Sequence, residues 1–330
     1  MLLSLLSGCS EPNTGPDKLS EYLGRLERVT GVSIPEKPPL PQSLDLPREN
    51  APTPLKSNQI DLIDFLSLSG CELQVNLGRR NTQLGRTASS SQQLLLDLEF
   101  MRLAPACSAL MQERGNLELA TTLDRARKDR EQALLKSIAN AILMGPEWKA
   151  FWERPSKLAY YPADTSSQIA AALWQLTALS TKWLTGDWNA NNREFELHLS
   201  SLRAGDGGAL IMAYSIVSQD IARATEMLMR MSDMAPLCPY AQHTERSRTL
   251  ENIVSRFFVR DIQPWLVALR QRKELLLAPV QQLEQPLLAA ISPQYAQWIV
   301  LRDELLGRHT TLIKQHIEAI ETVLAECTRD

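Results

Sequence analysis

The spacing of apolar residues constrains this chain more than any other feature. Leu210, Tyr214, Val217, Ile221, Ala224, Leu228 and Met231 recur in alternating steps of four and three. That repeat puts side chains on one stripe of an α-helix and makes the seam of a bundle. A second seam runs through Ile262, Leu266, Leu269, Leu276, Val280, Leu283 and Leu287, with a kink expected at Pro279. A third, Leu305, Leu312, Ile320 and Val323, lies on a helix that starts at Ser292-Pro293 and runs towards Cys327.

Earlier segments obey the same rule. Leu19, Tyr22, Leu23, Leu26 and Val29 predict a helix over 18–30, and Asn58–Leu68 predicts a short one. Ser89 to Gln93 offers capping geometry ahead of the apolar run Leu94–Leu103. Asn116 opens a long helix to Met144 whose DRARKDREQ stretch is a solvated face, and Thr165 with Gln168 caps a helix carrying Ile169, Leu173, Leu176, Leu179 and Trp183. Aromatic residues make up only 6% of the chain, and there is no paired-strand pattern, no βαβ alternation and no internal repeat. The expected fold is all-α, an irregular multi-helix bundle over 57–330. Before it, 18–56 holds the first helix and a Pro-rich segment, since Pro35, Pro38, Pro39, Pro41, Pro47, Pro52 and Pro54 remove backbone donors and favour extended chain.

The N-terminus sets the expected compartment. In MLLSLLSGCS, Leu6-Ser7-Gly8-Cys9 resembles a bacterial lipobox, where an apolar residue and two small ones precede the cysteine that takes the lipid. Residues 1–8 then read as a signal-peptide remnant and 9–17 as lipid attachment and tether. The apolar stretch Met1–Leu6 is shorter than the usual ~7–15 residues and no basic residue precedes it, so the true start is expected upstream. Two acyl chains suffice for stable anchoring. Ser10, in place of Asp, points to the periplasmic side of the outer membrane. No run reaches the roughly 18–20 apolar residues of a membrane-spanning helix. With Cys9 set aside, Cys71, Cys107, Cys238 and Cys327 form an even set in an oxidising location. Of the three possible connectivities, Cys71–Cys107 with Cys238–Cys327 is favoured, because each pair encloses its own group of helices.

Candidate chemistry is sparse. Arg79, Arg80, Asn81 and Arg86 in GRRNTQLGR form the sharpest basic cluster, read as a loop between Cys71 and Cys107 that offers guanidinium groups to an anion. The competing reading has them bracing helix ends. Arg246, Arg248, Arg256 and Arg260, interleaved with Glu245 and Glu251, read as a solvated face. His309 and His316 share the last apolar stripe but stand about 10.5 Å apart along it, too far to share one metal ion. His198 with Glu194 is a metal corner lacking a third ligand. Gly205-Asp206-Gly207-Gly208 reads as a turn into a helix; it lacks the lysine of a phosphate-binding loop. No nucleophile motif, metal set or cofactor fingerprint occurs, and a net charge of −3 gives no field to attract nucleic acid.

The lipobox, the Pro-rich stretch, IDLIDFLSLSGCEL, RRNTQLGR, LEFMRLAPAC, the GDGG turn and RFFVRDIQPWL, in that order, resemble an uncharacterised lipoprotein family of Gram-negative bacteria, domain of unknown function 3080. The resemblance implies a helical envelope lipoprotein and brings no activity, ligand or catalytic residue. The expected function is a non-enzymatic scaffold or binding module, held to the membrane through Cys9 and contacting an envelope partner. The alternative is a small-ligand receptor or enzyme with a cleft near Arg79, Arg80, Asn81 and Arg86.

Overall fold

The computed structural model describes residues 14–47, 62–162, 167–234 and 236–327; Cys9, Pro52, Pro54 and Thr165 lie outside them. Among the described residues there are helices and no strand. Helix α1 (Gly15–Thr30) begins three residues before the expected boundary because Thr14 and Asp17 form a capping box with Pro16 in the first turn. It ends at Gly31, where φ of 70° favours a residue without a side chain. Residues 31–41 carry no regular element and form a strap across the body. Proline leaves this strap poor in donors, and its carbonyls accept from side chains of a later helix: Arg223 Nε to Pro35 O at 2.7 Å and Gln219 Nε2 to Pro38 O at 3.0 Å.

Short helices α2 (Leu62–Ser67), α3 (Leu73–Asn81) and α4 (Gln83–Arg86) follow. The segment GRRNTQLGR is therefore not a loop. Buried Leu73 and Leu77 hold α3 down, and Thr82 both ends α3 and caps α4. Helix α5 (Ser90–Glu113) runs ten residues past the apolar run that announced it and passes through Pro105. Gly115 (φ 77°) turns the chain into α6 (Leu117–Ile142), capped by Asn116. One end of this antiparallel hairpin, Leu94, Leu98, Leu134 and Ile138, joins the main core. The other, Phe100, Met111, Leu119 and Leu123, builds a satellite core with Leu73 and Leu77. Cys71 lies at disulfide distance from Cys107 within that satellite, Cα atoms 5.7 Å apart, and Cys238 pairs with Cys327 at 4.9 Å.

After α7 (Pro146–Trp152), α8 (Ser167–Leu184) and α9 (Asn192–Arg203), the central α10 (Gly207–Met234) buries every residue of the first seam. Then come α11 (Glu245–Ile253), a wider π-helical turn over Val254–Ile262, and α12 (Gln263–Glu284), which Pro279 does not break. All seven residues of the second seam are buried. A 3-10 turn over Gln285–Ala290 leads to α13 (Pro293–Ala325), which packs along α10 and starts, as expected, on a Ser292 cap.

Glycine lets α10 start against the end of α7. A Cβ on Gly208 would stand 2.0 Å from the Glu153 carbonyl oxygen, and one on Gly207 would meet the Phe151 and Trp152 rings at 2.6–2.8 Å. The GDGG turn is thus a close-packing device, and its carboxylate, Asp206, is held by buried Arg272 (Nε to Oδ2 2.8 Å). Gly208→Ala should destabilise the fold by about 3 kcal/mol, since backbone blocks the new methyl. Gly24→Ala, where a Cβ meets nothing within 4 Å, should stabilise it by about 0.5–1 kcal/mol. Denaturant midpoints of the two variants measure both; equal effects would refute the packing argument.

Candidate functional site

The four residues singled out for anion binding do not converge. Arg79 is paired with Glu99, which also accepts from Asn76 Nδ2 at 2.8 Å. Burial alone would raise the Glu99 carboxyl, but the hydrogen bonds from Arg79 and Asn76 and the charges of Arg79 and Arg102 outweigh it and hold its pKa below the ordinary value. Arg80 shares the buried Asp97 with Arg130, whose guanidinium also lies 3.9 Å from the Phe100 ring centre. Arg86 folds back to donate to the Asn81 carbonyl at 2.9 and 3.1 Å, a helix-end brace. Arg79 lines a hollow of about 190 Å3 with Arg102 and Trp188.

The histidines fall inside the core. His316 is bridged between Tyr22 Oη and Thr225 Oγ1, each at 3.0 Å, and packs edge-on against Phe258. His309 is 4% exposed, lies 4.7 Å from the Tyr214 ring, and has an Nε2 with no hydrogen-bond partner. Burial drives both pKa values from 6.5 to about 4, with Lys273 adding to the effect on His309. His198 stands 3.9 Å from Glu194. Among the described residues, the one grouping of three close ligand atoms is Cys238, His243 and Cys327, and its two sulfurs face each other as a disulfide pair. Arg246, expected in solvent, is half-buried and caps α1 by donating to Val29 O at 2.6 Å and to Thr30 O. It lies there because the carbonyls at that helix end have no intrahelical donor.

Sequence reasoning missed the most densely functionalised region, which centres on α7. PEWKAFWERP places Trp148, Phe151 and Trp152 within five residues of an aromatic-poor chain, and that density was the available signal. Their rings pack on one another and on Trp298. Beneath them lies an ion pair removed from water. Arg302, fully buried, donates Nη1 and Nη2 to the two oxygens of Glu284, both at 2.8 Å, and Nε to Asp303 at 2.8 Å. Its guanidinium lies 5.0 Å from the ring centres of both Trp152 and Trp298. Tyr295 Oη donates to Glu284 at 3.0 Å and accepts from Trp148 Nε1 at 2.8 Å. Burial alone would lower the Arg302 pKa, but Glu284 and Asp303 outweigh it and hold the cation firmly. This network is closed and structural.

Trp152 is 2% exposed, and it also lines a surface cleft. With Leu40 of the strap, Asp45, Leu46 and Pro47 of its continuation and the chain just after α7, it borders a cleft of about 910 Å3. Lys149, Arg154, Arg203, Asp45 and Glu153 line this cleft, and Leu46, Pro146 and Met212 supply apolar wall. Arg154 grips Asp45 through Nε (2.5 Å) and Nη2 (2.8 Å). Its third nitrogen, Nη1, is buried without a partner, and so is Trp152 Nε1. Two neighbouring donors lacking acceptors are costly in a folded protein and call for a physical reason.

Two outcomes follow from these environments. Arg302→Met should destabilise the protein by about 3–5 kcal/mol by stranding Glu284, and adding Glu284→Leu should recover much of that loss. A double variant no better than the single one would show that the pair is not the relevant unit. The unfolded chain protonates its histidines below about pH 6.5 while the folded chain holds His309 and His316 neutral down to about 4. Stability should therefore be full above 6.5 and fall as pH drops towards 4. The His309→Gln, His316→Gln double variant should show a shallower fall in denaturation measured across that window; an unchanged slope would refute the assignment.

No curated protein and no solved structure matches the chain. A family model described as a protein of unknown function (DUF3080) matches residues 19–330. That match takes in every helix from α2 onward and α1 from Leu19 on, and the chain belongs to the DUF3080 family.

Proposed function

We propose that this protein is a non-catalytic binding module, held by a lipid on Cys9 at the periplasmic side of the outer membrane, and that the cleft beside Trp152 is where it takes its ligand. The observation that carries the reading is the pair of unpartnered donors, Trp152 Nε1 and Arg154 Nη1, on two residues that line a cleft whose described lining includes no histidine or cysteine. Such a wall offers hydrogen bonds and charge but no nucleophile paired with a base. The lipobox-like Leu6-Ser7-Gly8-Cys9 and the pairing of the other four cysteines support an extracytoplasmic, membrane-tethered setting. The first described helix is capped by Thr14, five positions after Cys9, so an acylated chain would hold that helix close to the bilayer.

The second reading, a small-anion site at Arg79, draws on the hollow between Arg79 and Arg102, where Trp188 Nε1 also lacks a partner. It is the weaker one, since Glu99 already neutralises Arg79, and Asn81 and Arg86 are engaged elsewhere.

Labelled palmitate supplied to cells should enter the full-length, correctly started protein, and Cys9→Ala should abolish the label and move the protein from the membrane to the soluble fraction. Equal fractionation of the two forms would overturn the anchored reading.

A further inference from the structure

We propose that the cleft beside Trp152 recognises anionic oxygens carried on an apolar body, as in a hydrocarbon-chain carboxylate or phosphate ester. The inference rests on the reading of this cleft as the ligand site and names what enters it.

The polar half of the argument is a count of donors and acceptors. Trp152 is 2% exposed, and its Nε1 can only donate. Arg154 spends two donors on Asp45 and keeps Nη1 unused. Both unused groups are donors, so the missing partner is an acceptor. A charged oxygen is the acceptor that offsets their burial best, because charge-assisted bonds are roughly twice as strong as neutral ones. Lys149 and Arg203 are exposed at the rim and form no ion pair among the described residues. Three cations thus stand against Asp45 and Glu153, and Asp45 is already committed to Arg154. The residual field favours an anion.

The apolar half comes from the walls. Leu40, Leu46, Pro47, Pro146, Pro155 and Met212 all line the cleft. A bare inorganic anion would leave these surfaces wet, whereas a hydrocarbon chain would bury them at about 25 cal/mol per Å2. A volume of about 910 Å3 is within the range of sites that enclose a whole small molecule. The strap is tied on both sides, by Arg154 to Asp45 and by Trp298 Nε1 to Leu44 O at 3.1 Å, so this wall is fixed before any ligand arrives.

Titration calorimetry on the unacylated full-length chain tests the idea, using dodecanoate and dodecyl phosphate below their micellar concentrations. Acetate and inorganic phosphate serve as anions without a chain, and dodecanol as a chain without charge. The chain-bearing anions should bind at least tenfold more tightly than any of the three controls. Trp152→Phe, which keeps the ring in its aromatic cluster but removes the N–H, should weaken dodecanoate about tenfold. Arg203→Glu, at an exposed position that leaves folding intact, should weaken it several-fold and steepen the loss on adding salt. Dodecanol binding as well as dodecanoate would overturn the anionic half, and acetate or phosphate doing so would overturn the apolar half. No binding by either amphiphile, or binding indifferent to both substitutions, would overturn the proposal entirely. Acylation of Cys9 does not enter this experiment. A chain that takes palmitate but binds neither amphiphile keeps the anchored reading and loses this ligand.

Discussion

The rest of the structure depends on the ion pair between Glu284 and Arg302. Removing two charges from water costs several kcal/mol per ion, and only near-ideal geometry offsets that. Here the guanidinium forks onto both carboxylate oxygens, its remaining face is taken by Asp303, and two indole rings cover it. Each partner comes from a different stretch: Glu284 ends α12, Arg302 lies in α13, and Trp152 ends α7. Apolar contacts tolerate sliding by a fraction of a turn, but a forked hydrogen bond does not. The pair therefore fixes the register of α7, α12 and α13 against one another. Through Trp298 and Leu44 it fixes the strap as well.

That arrangement gives Trp152 two duties. One set of contacts belongs to the charged core, while the residue also lines the cleft with Arg154, and the buried indole N–H and Arg154 Nη1 have no partner. A recognition group backed by a rigid, fully bonded core spends little ordering entropy when it meets its ligand. The strap acts in the same sense from the opposite side. Its proline carbonyls are answered by Arg223 and Gln219, Lys37 reaches buried Asp220 at 2.9 Å, and Val32 and Leu44 enter the core. A segment whose one regular element is the 3-10 turn Gln42–Leu44 is thereby tied to the body along its length.

The helical seams were legible because a period of 3.6 residues is a local property: every position named on α10 and α12 is buried. Helix starts were legible where the cap lies beside the helix, as at Ser292, Asn116 and Ser89. The candidate site was not legible in this way. Arg79 and Arg80 read as free cations because their partners, Glu99 and Asp97, lie 20 and 17 residues away on another helix. Arg302 was not singled out in the sequence, yet Tyr295, Trp298, Arg302, Leu306 and His309 fall on one buried stripe. A charged residue in phase with such a stripe was the sign of a buried pair. The cleft needs the strap, α7 and the start of α10 together, and no local pattern encodes their meeting.

The two cysteine pairs reinforce the places where this order would otherwise end. The satellite core of α3 with the far end of the α5–α6 hairpin is small, and it shares its long helices with the main core instead of standing alone. Cys71–Cys107 closes it just before α3, beside the buried anchor Leu73. Cys238–Cys327 joins the chain just past α10 to the end of α13, the two helices that form the spine of the bundle. Cross-links of this kind limit the unfolded ensemble and typically contribute about 2–4 kcal/mol each. Neither touches the cleft, where order comes from the buried charges and the strap. Rigidity at the ligand site is therefore separable from the covalent stapling of the ends: reduction would loosen the satellite and the spine's terminus first, and leave the Trp152 wall to the ion pair beneath it.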